Sequence, residues 1–177
     1  MTLNQIVNTL RRIVGDQRQI GSLYYGRITE WVGLSEVVYP SCVVELESAS
    51  LLEREVEFRF TIYVADLLNA DFNNRTEIHS DTLLILKDLL AMMDDPQHDW
   101  VLNRSNNAVE FFDDERGDQE NPDNVAGVKT EITVRVSWTR DACQIPRRNI
   151  EADTIITEDG LVIYSEDFRK LKIEKEK

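Results

Sequence analysis

The sequence predicts an α+β fold: a mainly antiparallel sheet with a long β-hairpin, helices packed on one face, and a C-terminal β-hairpin extension. Three observations carry this. Apolar and polar residues alternate over 42–46, 54–64 and 125–139, the two-residue period of strands with one buried face. Apolar residues recur at three- and four-residue spacing over 3–14 and 76–93, the stripe of an amphipathic helix. Near the end, Asp159-Gly160 separates two β-rich runs, a hairpin signal. A chain of 177 residues fits one globular domain with an arm, at roughly 150 residues per domain. The domain is read as residues 1–146 and the interaction arm, a β-hairpin with a charged tail, as 147–177.

In chain order, Leu3, Ile6, Val7, Leu10, Ile13 and Val14 line one side of the first helix, with Thr2 as N-cap and Gly15 as stop. Glycines at 21, 26 and 33 punctuate the next segment, which reads as a loop with a short strand over Arg27 to Val32. Pro40 opens the first clear strand, in which Cys42, Val44 and Leu46 alternate with Val43, Glu45 and Glu47. In the second, Val56, Phe58, Phe60 and Ile62 alternate with Glu55, Glu57, Arg59, Thr61 and Tyr63, and the link from Ser48 to Glu53 suits an antiparallel hairpin. The main helix runs from Thr76 to Met93, with Ile78, Thr82, Ile85, Leu86, Leu89, Leu90 and Met93 on one face, and Asp94-Asp95-Pro96 ends it. Two short strands follow, around Asp99 to Asn103 and Asn107 to Asp113, then an acidic loop, then a long strand from Val125 to Thr139 that completes the sheet. Beyond Pro146, Thr154 to Thr157 and Leu161 to Tyr164 form the small hairpin, which is too short to be stable alone. From Glu166 onward, basic and acidic residues interleave in a tail expected to fray.

Composition narrows the function. Lys plus Arg number 20 and Asp plus Glu 33, a net charge of −13. Nucleic-acid phosphate as the main partner is disfavoured, because binding it depends on Lys and Arg displacing counterions. Anionic membranes are disfavoured likewise, and apolar runs end well short of the roughly 18 residues a membrane span needs. The start lacks the pattern of a secretory signal and reads as mature. Cys42 and Cys143 form no CxxC pair, so they read as two reduced cysteines packed in strands in a cytosolic setting. Asn74-Arg75-Thr76 and Asn103-Arg104-Ser105 match the glycosylation pattern by coincidence on that reading.

No motif points to catalysis or to a cofactor. His79, Ser80 and Asp81 are neighbours on one helix and point in different directions, whereas a nucleophilic triad needs convergence from separate parts of a fold. His98 lacks metal-ligand partners at usable spacing. The stretch from Val109 to Asp123 is crowded with carboxylates but lacks the ordered spacing of a calcium loop, so it reads as a solvated acidic loop. The glycines build no phosphate-binding motif. Trp31, Trp100 and Trp138 with Tyr24 and Tyr25 lack the basic groove of a single-strand binding platform, and read as core or protein interface.

Two features point to protein partners. Glu45, Glu47, Glu53, Glu55 and Glu57 give the long hairpin a charged outer surface on which neighbouring copies can register. The C-terminal hairpin, with Ile155, Ile156, Leu161, Val162, Ile163 and Tyr164, suits addition to a neighbour's sheet edge, or equally packing back on its own domain.

Tyr39-Pro40-Ser41-Cys42-Val43-Val44-Glu45, the strand from Val56 to Val64, the helix from Thr76 to Met93 and Ile132-Thr133-Val134-Arg135-Val136-Ser137-Trp138 follow one another in the chain. That order of elements resembles the tail-terminator and neck-ring (head-tail connector) proteins of tailed bacteriophages. It covers Met1 to about Pro146, and these proteins share architecture more than any fixed motif. The ending Asp141-Ala142-Cys143-Gln144-Ile145-Pro146 is similar to sequences from crAss-like phages of gut Bacteroidetes. The resemblance implies a non-enzymatic virion protein, without cofactor or metal, assembled in the host cytoplasm into a sixfold or twelvefold homomeric ring. Its partners would be identical subunits and adjacent neck, portal or tail proteins, with DNA passing through the lumen unread. On that implication Asp113, Asp114, Glu115, Asp118 and Glu120, with the hairpin glutamates, line or rim the channel, where negative charge repels phosphate. The extension after Pro146 departs from the compact family pattern. The rival reading is an acidic cytosolic binding or inhibitor protein that mimics nucleic acid.

Overall fold

Thr2 caps the first helix, α1 (Leu3–Asp16), as its sequence predicts: Gln5 N–H donates to Thr2 Oγ1 at 3.4 Å and Thr2 N–H to Gln5 Oε1 at 2.7 Å. The helix runs through Gly15 to Asp16, so Gly15 is not its stop; Gln17 caps it, its N–H reaching Val14 C=O. The computed structural model describes residues 1–103, 108–118 and 121–138, with strands at 155–156, 162–165 and 171–174. The chain divides into two compact units, Met1–Thr139 and Arg140–Lys177; the expected boundary after Pro146 lies outside the described residues.

The first unit is α+β, with a mixed, mostly antiparallel sheet of six strands. These are β1 (Ser22–Tyr25), β2 (Ser41–Leu51), β3 (Glu55–Leu67), β4 (Val101–Asn103), β5 (Val109–Asp118) and β6 (Asn121–Ser137). They lie in the order β1-β2-β3-β6, and the far edge of β6 is shared by β4, at 133–135, and β5, at 121–130. Only β1 and β2 run parallel. The long hairpin forms as expected: β2 and β3 pair antiparallel from Ser41↔Ala65 to Leu51↔Val56. A bulge at Glu47 interrupts it, since Leu46 pairs with Phe60 but Ser48 with Arg59.

Alternation along the strands aims Cys42, Val44, Phe58, Phe60, Ile62, Val64, Val128, Ile132, Val134 and Val136 at one side. There Ile6, Leu10, Ile13 and Val14 of α1 meet Ile85, Leu86, Leu89 and Met93 of α3 (Arg75–Met93) in the main core. The stripe predicted on α3 is the buried one, Thr82 included, whose Oγ1 donates back to Ile78 C=O at 2.7 Å.

Two expectations fail between Asp16 and Gly33. The strand is β1, at Ser22–Tyr25, and residues 28–32 form a short helix, α2 (Ile28–Val32), where a strand was expected. Glu30 explains the helix: its Oε2 accepts from Arg27 N–H at 3.3 Å and from Tyr24 Oη–H at 3.0 Å, closing the first turn. Trp31 then buries against Val43, Ala65 and Val125 on the side of the sheet opposite α1 and α3, making a second, smaller core.

The acidic loop is also corrected. Residues 113–118 continue β5, and β6 begins at Asn121, pairing from Val109↔Thr130 to Asp118↔Asn121. Since β3 reaches only Leu67↔Val125, β5 and β6 extend past it as a two-stranded ribbon. Charge suggested a loop; hairpin pairing with the first residues of β6 overrides it.

The second unit contains β7 (Ile155–Ile156), β8 (Val162–Ser165) and β9 (Leu171–Glu174) in one antiparallel sheet. The expected hairpin is its β7–β8 pair. The tail expected to fray contributes β9 instead, where Leu171 and Ile173 alternate with Lys172 and Glu174 in a short strand period that charge counting hides.

Candidate functional site

Glu45, Glu47, Glu55 and Glu57 share the outer side of the sheet, away from α1 and α3, as their alternation predicts; the bulge keeps Glu47 on that side although it adds a residue. Glu53 sits in the hairpin turn. Their partners differ. Glu45 Oε2 accepts the Ile28 N–H at 3.2 Å and so anchors α2. Glu47 Oε1 accepts from Thr61 Oγ1 at 2.8 Å. Glu57 pairs with Arg135 across the β3–β6 ladder.

Sequence reasoning missed the rest of this face. Glu110 of β5 and Glu131 of β6 join Glu47 around a cleft of about 450 Å³ that Thr61, Tyr63, Ala108, Lys129 and Thr130 also line. Lys129 Nζ lies 2.9 Å from Glu110. Glu110↔Lys129↔Tyr63 is one row across three strands, and no sequence signal foretold it because Tyr63 lies far from the other two in the chain.

Burial, and then the charges of Glu45, Glu47, Glu110 and Glu131, push the Tyr63 phenol from 10.0 up to about 12. Below pH 10 the phenol is neutral in both folded and unfolded chains, and its contribution is intact. Between 10 and about 12 the unfolded chain ionises first, so stability falls as pH rises through that window. Replacing Tyr63 with phenylalanine is expected to remove this part of the alkaline loss, read as a shallower drop in urea midpoint between those pH values. An unchanged drop counts against the acidic surroundings assigned to Tyr63.

The acids of the former loop do not act as one group. Asp113 pairs with Ala126 on the helix side, where Oδ2 lies 3.1 Å from Arg75 Nε and Oδ1 lies 3.3 Å from His79 Nε2. The His79 contact is within ion-pair distance but outside hydrogen-bond geometry. Asp114, the next residue along the strand, belongs to the opposite side. Glu115 and Asp118 lie in the β5 backbone, and Glu120 lies outside the described residues. In the arm, Ile155 and Ile156 fall in β7 and Val162, Ile163 and Tyr164 in β8, while Leu161 lies outside the described residues.

On the helix side of β5, Phe111 is 56% exposed and Leu83 of α3 is 37% exposed. They bound a shallow apolar hollow of about 400 Å³ together with Thr76, His79 and Ser80. The His79 and Phe111 rings lie 5.0 Å apart. His79 thus sits beside β5 rather than in any triad. His98 Nε2 is 3.1 Å from Met92 C=O, and its ring lies 4.9 Å from that of Trp100, tilted by 44°. Trp31 and Trp100 are buried, as a core reading requires, with Trp138 partly exposed. Cys42 is fully buried and burial pushes its thiol up to about 12; Cys143 lies outside the described residues.

Among the described residues no group of three or more His, Cys, Asp or Glu is placed to hold a metal ion. No helix among them is long and apolar enough to cross a membrane. No protein-family model and no curated protein matches this sequence.

Proposed function

We propose that the chain is a structural subunit of a homomeric ring in the neck or tail of a tailed phage, joining head to tail or closing the tail, with DNA passing through the lumen. The observation that carries this reading is the β5–β6 ribbon. A stretch with the composition of a solvated loop is instead two paired strands that run past the end of β3. A paired extension of this kind offers a neighbouring subunit a surface, and its carboxylate-rich sequence suits the rim of a channel that must not hold the DNA phosphates. The acidic outer face around Glu47, Glu110 and Glu131 supports the same reading. The role is one of shape and assembly, and it calls for no bond-breaking step.

The test is the mass and shape of the purified full chain, by sedimentation and negative-stain electron microscopy, alone and with particles lacking their neck. Closed rings with a central channel are expected. A chain that stays single in both settings and captures a basic protein one to one overturns the proposal and establishes the nucleic-acid-mimic alternative.

A further inference from the structure

We infer that copies join head to tail by continuing the sheet, β5 of one copy pairing with β1 of the next. This rests on the ring reading and names its interface. Among the described residues, β5 pairs with a strand only through its β6 edge and β1 only through its β2 edge, so each end of the sheet presents an edge to which a further strand can be added. Strand direction suits the match. β1 is parallel to β2, and direction then alternates through β3, β6 and β5, so β5 runs opposite to β1. Continuing the sheet therefore makes an antiparallel pair, the more stable kind per residue.

Apolar surface matches on the same side. Phe111 and Val109 of β5 face the helix-covered side, and Phe111 is left more than half exposed even with His79 of α3 beside its ring. On β1, Leu23 and Tyr25 pair with Cys42 and Val44, which belong to that side too. A β1 strand laid along β5 extends the main core of one copy into the next.

Charge selects this partner over the others. By sequence the β5 segment carries Glu110, Asp113, Asp114, Glu115 and Asp118 with one cation, Arg116, and Lys129 and Arg75 lie beside Glu110 and Asp113. Over residues 11–30, the segment that contains β1, exposed Arg11, Arg12, Arg18 and Arg27 outnumber Asp16 and Glu30, and the Arg11 guanidinium lies 5.7 Å from the centre of the Tyr25 ring. Two β5 strands pairing with each other would set carboxylates against carboxylates and close a dimer, not a ring. The arm, with seven basic and eight acidic residues over 147–177, offers β5 no net opposite charge. Opposite ends of opposite sign are what a head-to-tail ring requires.

The test uses two full-length variants. Glu110→Lys with Asp114→Lys leaves the β5 end basic once Lys129 and Arg75 beside it are counted; Arg18→Glu with Arg27→Glu makes the β1 end acidic. Each alone then has two ends of like sign, and its self-association is expected to weaken about tenfold or more. An equal mixture is expected to regain the wild-type mass in sedimentation, as rings alternating between the two. Circular dichroism and melting of each variant check that it is folded. As a check independent of charge, a Cys143→Ser chain carrying Arg27→Cys and Asp114→Cys is treated with a flexible bismaleimide. Covalent multimers longer than dimers are expected, and absent from either single-cysteine chain. Variants that each assemble like wild type, a mixture of folded variants that does not recover, or an assembling chain that yields no multimers overturns the edge pairing and leaves the ring standing. A wild-type chain that never self-associates overturns the ring reading itself.

Discussion

Replacing Gly127 with alanine is expected to lower the unfolding free energy by about 3 kcal/mol, the upper end of what overpacking a well-filled interior costs. Gly127 sits in β6 between Ala65 of β3 and Phe112 of β5. A Cβ there would lie 2.0 Å from Val64 O and 2.9 Å from Ala65 Cα. Both are backbone atoms of a strand whose neighbouring side chains are buried, so neither yields without opening the β3–β6 ladder near its Leu67↔Val125 end. A glycine inside a strand ordinarily weakens it, and one at such a site marks a close approach of two backbones. Gly15 is the internal control. It lies in α1, and a Cβ at that position would meet nothing within 4 Å, so Gly15→Ala is expected to stabilise the chain by about 0.5–1 kcal/mol. Urea unfolding of the two variants, read at unchanged slope, decides the matter. A Gly127→Ala chain within about 0.5 kcal/mol of wild type, the ordinary range for surface changes, rules out the close contact.

What was legible in the sequence was the part written in local periods. The stripe from Ile78 to Met93 and the alternation from Val56 to Val64 each lie within one element, and both became its buried face. The elements that were misread depend on pairing partners and not on their own period. Residues 113–118 are too charged to look like a strand by themselves, and they become one because residues 121–126, which follow closely in the chain, pair with them. The bulge at Glu47 is invisible for a related reason. Glu45 and Glu47 sit two residues apart, as an unbroken strand would have them, and only the partner register exposes the extra residue. Of the candidate surface, the four strand glutamates 45, 47, 55 and 57 were placed on the correct side by alternation. Glu110, Lys129 and Glu131 were not, because their approach to Tyr63 follows from strand order, which no local pattern encodes.

Trp31 tests the element hardest to read. Replacing it with alanine is expected to cost about 3–5 kcal/mol, the range for emptying a buried large aromatic site. Five residues are far too few for a helix to hold itself in water, so α2 depends on what it buries. Trp31 is 1% exposed among Val43, Ala65 and Val125, and its Nε1–H donates to Ser41 Oγ at 3.2 Å. Ser41 is itself fully buried, and Ser22 Oγ, 3.1 Å away, would be its remaining side-chain partner. Two losses therefore coincide in Trp31→Ala: an apolar void on the second face of the sheet, and a buried hydroxyl short of one hydrogen bond. Phenylalanine separates them. Trp31→Phe keeps much of the volume and gives up the Nε1–H donor, so about 1–2 kcal/mol is expected for it, with the remainder assigned to the void. Trp138, at 37% exposure, supplies the contrast, since its removal is expected to cost under about 1 kcal/mol. If Trp31→Ala cost no more than Trp138→Ala in the same urea titration, the second core would carry no stability. Glu45 would then anchor a helix that the sheet does not need, and the covering of the outer face by α2 would be incidental to the fold.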